Sequence, residues 1–336
     1  MPQQPLNHHA VVFDETWEAV IRPGLSRRYF QFDGAVGISP PRFRPGAVGY
    51  TPVNAWWLSE ISRLIYVRNP DEAGGVDGGR SGFLASAALR EICFINGEGV
   101  QCALIATYDN AESPFAVLVF RGTSAFDTWL SNLNTIQADW CGGGLVHAGF
   151  KSEFYRIWDA VDALLSEVPA GFPLFYTGHS LGGAMALLAA GRRPAAAVYT
   201  FGAPKVGDAA FARSLRNMPI FRVVNNRDLV AVLPPSQIPF EFCHAGEPHH
   251  YSDGLCPVEA RPGGGAAGDV SEQNGGRRSG ASWFSQRFMR PPEFLLDHAP
   301  VNYSRRLQQE ILSMAAVLAD AASPARQEPL PCQEPV

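Results

Sequence analysis

A serine at position 180 sits in Gly178-His179-Ser180-Leu181-Gly182-Gly183-Ala184, and no other residue of the chain is better placed for covalent chemistry. An apolar run from Phe172 to Thr177 precedes this stretch, and a helix-forming run from Met185 to Gly191 follows it. G-x-S-x-G between a strand and a helix is the pattern of a nucleophile elbow. The turn is so tight that the residues two before and two after the serine must be small, and its strain lifts the hydroxyl clear of the backbone. The dipole of the following helix favours negative charge developing near that oxygen. The chemistry this permits is acyl transfer through a covalent serine intermediate. A glycine-rich turn that merely contains a serine is the plainer alternative, and it would not require a strand and a helix on either side.

A serine alkoxide is out of reach near neutral pH, so Ser180 needs a histidine, and that histidine needs a carboxylate to fix its tautomer. Where the elbow joins a strand to a helix, the members follow in the chain order Ser, Asp, His. Asp228 lies just past the apolar strand Ile220 to Val224, at the carboxyl end where catalytic groups of α/β sheets gather. Asp208 reads equally well as the cap of the next helix, and Asp253 and Asp269 have no strand ahead of them. His298, before the final helix, is the best base, with His244 in reserve. Asp297 is not its partner, because neighbouring side chains diverge. His249-His250 lacks a third ligand at a fitting spacing, so it reads as an exposed loop pair rather than a metal site. Two donors should meet the oxyanion: the backbone N–H of Leu181, and a group from Phe120-Arg121-Gly122-Thr123-Ser124, where Gly122 permits close approach and Thr123 offers an N–H and a hydroxyl.

The elements that must position these groups follow from periodicity. Helices are expected at Asp14 to Ile21, Ala55 to Ile65, Phe83 to Leu89, Phe150 to Leu165, Ala209 to Asn217 and Val301 to Leu318, with a loop over Asp71 to Gly82. Asn96-Gly97 between two apolar runs predicts a hairpin, and Phe115 to Phe120 reads as a buried strand. Strands alternate with helices from there on, which implies right-handed crossovers and parallel pairing. The fold class is therefore α/β, with a mixed, mostly parallel central sheet flanked by helices. Residues 51–320 form one domain, 1–50 an extension packing on it, and 321–336 a tail. Arg261 to Ser282 is a patternless excursion rich in Gly, Ala and Arg.

Bulk properties exclude several classes. A net charge of −5, with no basic run, gives no footprint for nucleic acid. Six cysteines without a C-x-x-C pair support neither a disulfide scaffold nor a zinc site, and Cys243 and Cys256 are the one pair that could bridge a loop. No metal or organic cofactor is called for. The first ten residues lack a secretory pattern, and no apolar run approaches the ~18 residues of a membrane span, so the default compartment is the cytoplasm.

Between Ala125 and Leu133, apolar residues at Phe126, Trp129, Leu130 and Leu133 mark a short amphipathic helix beside the proposed site. It is either an ordinary packing helix or a lid whose apolar face turns outward at a lipid surface.

With these residues assembled, the chain resembles the class 3, fungal-type triacylglycerol lipases of the α/β-hydrolase fold. The matching pieces are Val119 to Thr123, Trp129 to Leu133, Val146 to Phe150, Thr177 to Ala184, Thr200 to Gly207, Asn226 to Asp228, and Asp297-His298. The resemblance implies a carboxylic-ester hydrolase for acylglycerol-like lipids at a lipid–water interface. It implies Ser180 as nucleophile, Asp228 and His298 as its partners, Thr123 and Leu181 as oxyanion donors, a lid from Phe126 to Leu133, and a structural His147. A phospholipase A1 or galactolipase, or an acyltransferase, would use the same machinery, and a silent relative that binds lipid or protein would keep only the fold.

Overall fold

The computed structural model describes residues 11–25, 28–32, 39–72, 75, 77–123, 135–235, 241–252 and 290–322. Its frame is a seven-stranded sheet in the order β1-β2-β3-β6-β7-β8-β9. The strands are β1 (Leu89–Asn96), β2 (Gln101–Thr107), β3 (Ala116–Phe120), β6 (Leu174–His179), β7 (Ala197–Phe201), β8 (Ile220–Asn225) and β9 (Glu247–Tyr251). The first two pairings are antiparallel, and the pairings from β3 to β9 are parallel. As the Asn-Gly signal predicts, β1 turns into β2 as a hairpin, closed by the N–H of Gly97 on the carbonyl of Val100 at 3.0 Å. A second, two-stranded sheet pairs β4 (Gln137–Asp139) with β5 (Leu145–His147).

Side chains alternate across the strands and feed two cores. Leu104, Leu118, Phe120, Tyr176 and Val198 face one layer, which holds α4 (Ala148–Tyr155), α5 (Trp158–Leu165) and α6 (Leu181–Ala190). Ile105, Val119, Phe175, Tyr199 and Val223 face the other, which holds α2 (Pro52–Leu64), α9 (Pro300–Ala322) and the aromatic residues Tyr29, Phe30, Phe32 and Phe43. Every residue of α6 is buried, so this helix is apolar all round instead of amphipathic.

Several expected boundaries move. The helix expected over 83–89 spans Gly79–Ser86 as α3, and Leu89 already opens β1. Its glycine-rich start, expected as loop, is anchored by the wholly buried Arg80, which pairs with Glu72 at 2.7 Å and with Glu91. The single helix expected from Phe150 to Leu165 breaks at Arg156–Ile157 into α4 and α5. Apolar spacing runs unbroken through the break, and Phe154 stacks on Trp158 across it with ring centroids 4.9 Å apart. His249 and His250 lie in the edge strand β9, not in a loop. His249 stacks on Tyr50 at 3.5 Å, and His250 donates to the carbonyl of Asn226 at 2.8 Å. The remaining helices, α1 (Trp17–Ile21), α7 (Ala209–Ser214) and α8 (Glu293–His298), are short. No described helix is long and apolar enough to cross a membrane.

A buried ion pair fastens α2 to its neighbours. Glu60 and Arg63, both nearly inaccessible, meet at 2.7 Å. Glu60 also accepts the backbone N–H of Phe30 at 2.6 Å and the hydroxyl of Ser304 in α9, and Arg63 lies 4.1 Å over the ring of Tyr29. Removing one partner leaves an uncompensated charge in the core. Arg63→Ala should therefore lower the unfolding free energy by about 3–5 kcal/mol in a urea titration, and a loss below ~1 kcal/mol would show that the pair is not a structural anchor.

Candidate functional site

The end of β6 places Ser180 in a conformation that a non-glycine residue rarely adopts, with φ 58° and ψ −128°. Three glycines make this possible by letting backbones touch. A Cβ on Gly178 would lie 2.3 Å from the carbonyl carbon of Gly182, and one on Gly182 would lie 2.2 Å from the carbonyl oxygen of Phe120. One on Gly183 would meet the Cβ of Ala203 at 2.6 Å. The N–H of Ser180 donates to the carbonyl of Phe201 at 2.9 Å. Its hydroxyl is buried, does not cap the helix it begins, and has no hydrogen-bond partner among the described residues.

Across the next two strands, Asp228 and His298 are buried and joined. His298 Nδ1 donates to the carboxylate at 2.8 Å and 3.0 Å, which leaves the lone pair of the neutral ring on Nε2. The same carboxylate accepts the hydroxyl of Tyr303 at 2.6 Å and the N–H of Val230 at 2.8 Å. Gly202 is the junction, with φ +57°. A Cβ there would stand 2.4 Å from Asp228 Oδ2, 2.9 Å from the Tyr303 hydroxyl oxygen and 3.1 Å from His298 Nδ1. Because Ser180 is bonded to the residue just before Gly202, the elbow and the Asp–His pair share one wall.

His179 wedges between them. Its ring centroid lies 4.5 Å from that of His298, and its Nε2 donates to the carbonyl of His298 at 2.7 Å. Its Nδ1 then accepts, 3.4 Å from the hydroxyl of Tyr66. Burial, and then the neighbouring His298, push the imidazole of His179 well below its ordinary range, so it stays neutral. Burial, and then the charge of Asp228, drive the phenol of Tyr303 well above its own range, so it remains a donor.

The loop after β3 passes against the same serine. A Cβ on Gly122 would fall 2.2 Å from the hydroxyl oxygen of Tyr66, 2.7 Å from the carbonyl oxygen of His179 and 3.4 Å from the Cβ of Ser180. Thr123 is the next residue, and Leu181 opens α6 on the other side of the serine. A buried hydroxyl on a strained bend, an imidazole oriented by a carboxylate, and backbone donors at a helix start can together take up and release an acyl group.

Other candidates go elsewhere. Asp208 caps α7, accepting from the N–H of Phe211 at 2.8 Å. His147 caps α4, accepting from the N–H of Phe150 at 3.2 Å. His244 donates to the carbonyl of Ala231 at 2.7 Å. Phe126, Trp129, Leu130 and Leu133 lie outside the described residues, as do Asp253, Cys256 and Asp269. Among the described residues no cluster of three metal-ligating side chains occurs. Tyr303 and Tyr66 escape a motif reading, since a tyrosine in an amphipathic helix looks like core until its hydroxyl is located.

His244 is pushed down to about 3 by burial and by Arg222 beside it, and His179 is lowered as well. The unfolded chain regains the ordinary value near 6.5 at both, so below that pH it binds protons that the folded chain refuses. Stability should therefore fall as the pH drops from 7 to 5, with a slope approaching about two protons. Denaturant titrations across that range check this; a flat profile would contradict the burial of these rings.

Residues 117–238 match the family model described as "Lipase (class 3)". The chain is 34% identical to the lipase of Rhizomucor miehei over 167 residues, covering 45% of each chain. It is 35% identical to the "Secreted mono- and diacylglycerol lipase 1" of Fusarium solani over 163 residues, covering 45% of this chain and 47% of that one. The chain thus spans a little under half the length of these relatives. Among solved structures, the native Rhizomucor miehei lipase propeptide complex shares 30% identity and a TM-score of 0.46, covering 50% of this chain and 58% of that one. The stretch that resembles the class 3 lipase family, residues 117–238, carries both the elbow and the turn bearing Asp228.

Proposed function

We propose that the protein is a serine carboxylic-ester hydrolase acting on acylglycerol-like lipids. The observation that carries this reading is the Asp228–His298 pair, seated against Gly202 beside a serine held at φ 58°. His298 Nε2 takes the proton of Ser180 as the hydroxyl oxygen attacks the ester carbonyl. The tetrahedral oxyanion is met by the N–H of Leu181 and by Thr123. Collapse expels the alcohol, which leaves with the proton held by His298. Water then enters, gives its proton to the same nitrogen, and releases the acid by the reverse sequence. Asp228 holds the imidazole in this orientation through Nδ1. The lipid substrate class is supported by the relatives' names, which include mono- and diacylglycerol lipases.

The substrate is met at a lipid–water interface. Leu229 and Val232, directly beyond Asp228, expose apolar side chains at 38% and 55%, which suits a rim that touches lipid.

Ser180→Ala should cut p-nitrophenyl butyrate hydrolysis by roughly 10⁴-fold or more while the protein stays folded by circular dichroism. A fluorophosphonate should label the parent at Ser180 and leave the variant unlabelled. A folded variant that keeps most of the rate would refute the mechanism. With tributyrin, the rate should rise disproportionately as the substrate passes its solubility limit. A hyperbolic curve running smoothly through that limit would remove the interfacial part of the proposal.

A further inference from the structure

Asp228 and His298 come from different parts of the chain, yet their nitrogen and oxygen must stay 2.8 Å apart. Asp228 stands at the end of a tight turn after β8, in which Asn226 has φ 43° and the N–H of Asp228 donates to the carbonyl of Asn225 at 3.0 Å. His298 is the last residue of α8, a six-residue helix with no side-chain cap at its start. Neither the turn nor so short a helix is rigid by itself.

Asp297 supplies a second connection between the two. Its Oδ2 accepts the backbone N–H of Arg227 at 3.1 Å and the side-chain Nδ2 of Asn226 at 3.2 Å. Its backbone carbonyl accepts Nδ2 of Asn225 at 3.0 Å. Consecutive helix positions diverge by about 100°, so one residue reaches the turn's backbone while the next reaches Asp228. Two rungs result: Asp297 to residues 225–227, and His298 to residue 228. The turn is held from its other side by Arg306, whose Nε donates to Asn225 Oδ1 at 3.1 Å. On its open side Asp297 borders a cleft of about 300 Å³ that Phe13, Asp14 and Arg290 also line.

We infer that Asp297 is a positioning residue: it locks the turn bearing Asp228 to α8, so that the imidazole of His298 and its carboxylate hold one separation and one orientation. The inference rests on the hydrolase reading only for its effect on rate; the geometric claim stands apart from it. What the position requires is an acceptor oxygen, not a charge, so an asparagine satisfies it and an alanine does not.

The experiment compares the parent with Asp297→Ala and Asp297→Asn in two measurements. In the parent, the Nδ1 proton of His298 should give a far-downfield proton resonance, assigned by its loss in His298→Gln. Asp297→Ala should lose or broaden that signal, and kcat on p-nitrophenyl butyrate should fall by about tenfold or more with KM within about twofold. Asp297→Asn should retain both. An alanine variant with the parental signal and kcat would overturn the inference, and so would an asparagine variant as impaired as the alanine one. A parent that shows the resonance and its dependence on Asp297, but hydrolyses no ester, would sink the hydrolase reading and leave the positioning role standing.

Discussion

Backbone crowding around Ser180 is the constraint on which the remaining architecture depends. Strand β6, the loop after β3 and the start of α6 approach so closely that no Cβ fits at Gly122, Gly178 or Gly182. A serine at positive φ is unfavourable by about 1–3 kcal/mol and survives only where its surroundings over-determine it. Here they do: β6 is flanked by parallel partners on both sides, and α6 is buried along its full length between sheet and helices. The apolar cores on the two faces of the sheet therefore supply the force that keeps one polar atom in an uncomfortable place.

Polar satisfaction around the bend is uneven in an informative way. The carboxylate of Asp228 accepts from a ring nitrogen, a phenol and a backbone N–H. His179 uses both ring nitrogens, toward a carbonyl and a phenol, and stays uncharged. Ser180 Oγ, at the centre, is buried and finds no hydrogen-bond partner among the described residues. Buried polar groups ordinarily find partners, which makes a strained, unpartnered hydroxyl in this position an unusual feature of the bend.

Much of this was legible in the residue order, because the governing patterns are local. The G-x-S-x-G bend, the apolar strands β3, β6, β7 and β8, and the Asn-Gly hairpin each carry their geometry in a few adjacent residues. What escaped reading is non-local or hidden by periodicity. Apolar spacing continues from Phe154 through Ile157 to Trp158, so the break between α4 and α5 leaves no trace. Strand β9 contains Pro248 and two histidines, and it is a strand only because β8 offers it an edge. Tyr303 and Asp297 matter for where their oxygens arrive, on the far side of a turn seventy residues earlier in the chain, and no spacing rule reports that.

Asn302 exchanges two hydrogen bonds with the backbone of Asp14, the N–H of Asp14 reaching Oδ1 at 2.8 Å and Nδ2 reaching its carbonyl at 2.9 Å. This closes the molecule into a loop of nearly three hundred residues. During synthesis the ribosome extrudes the bend and its hydroxyl more than a hundred residues before the imidazole exists. The contact between Asp14 and Asn302 can therefore form only after all of the residues between them have emerged.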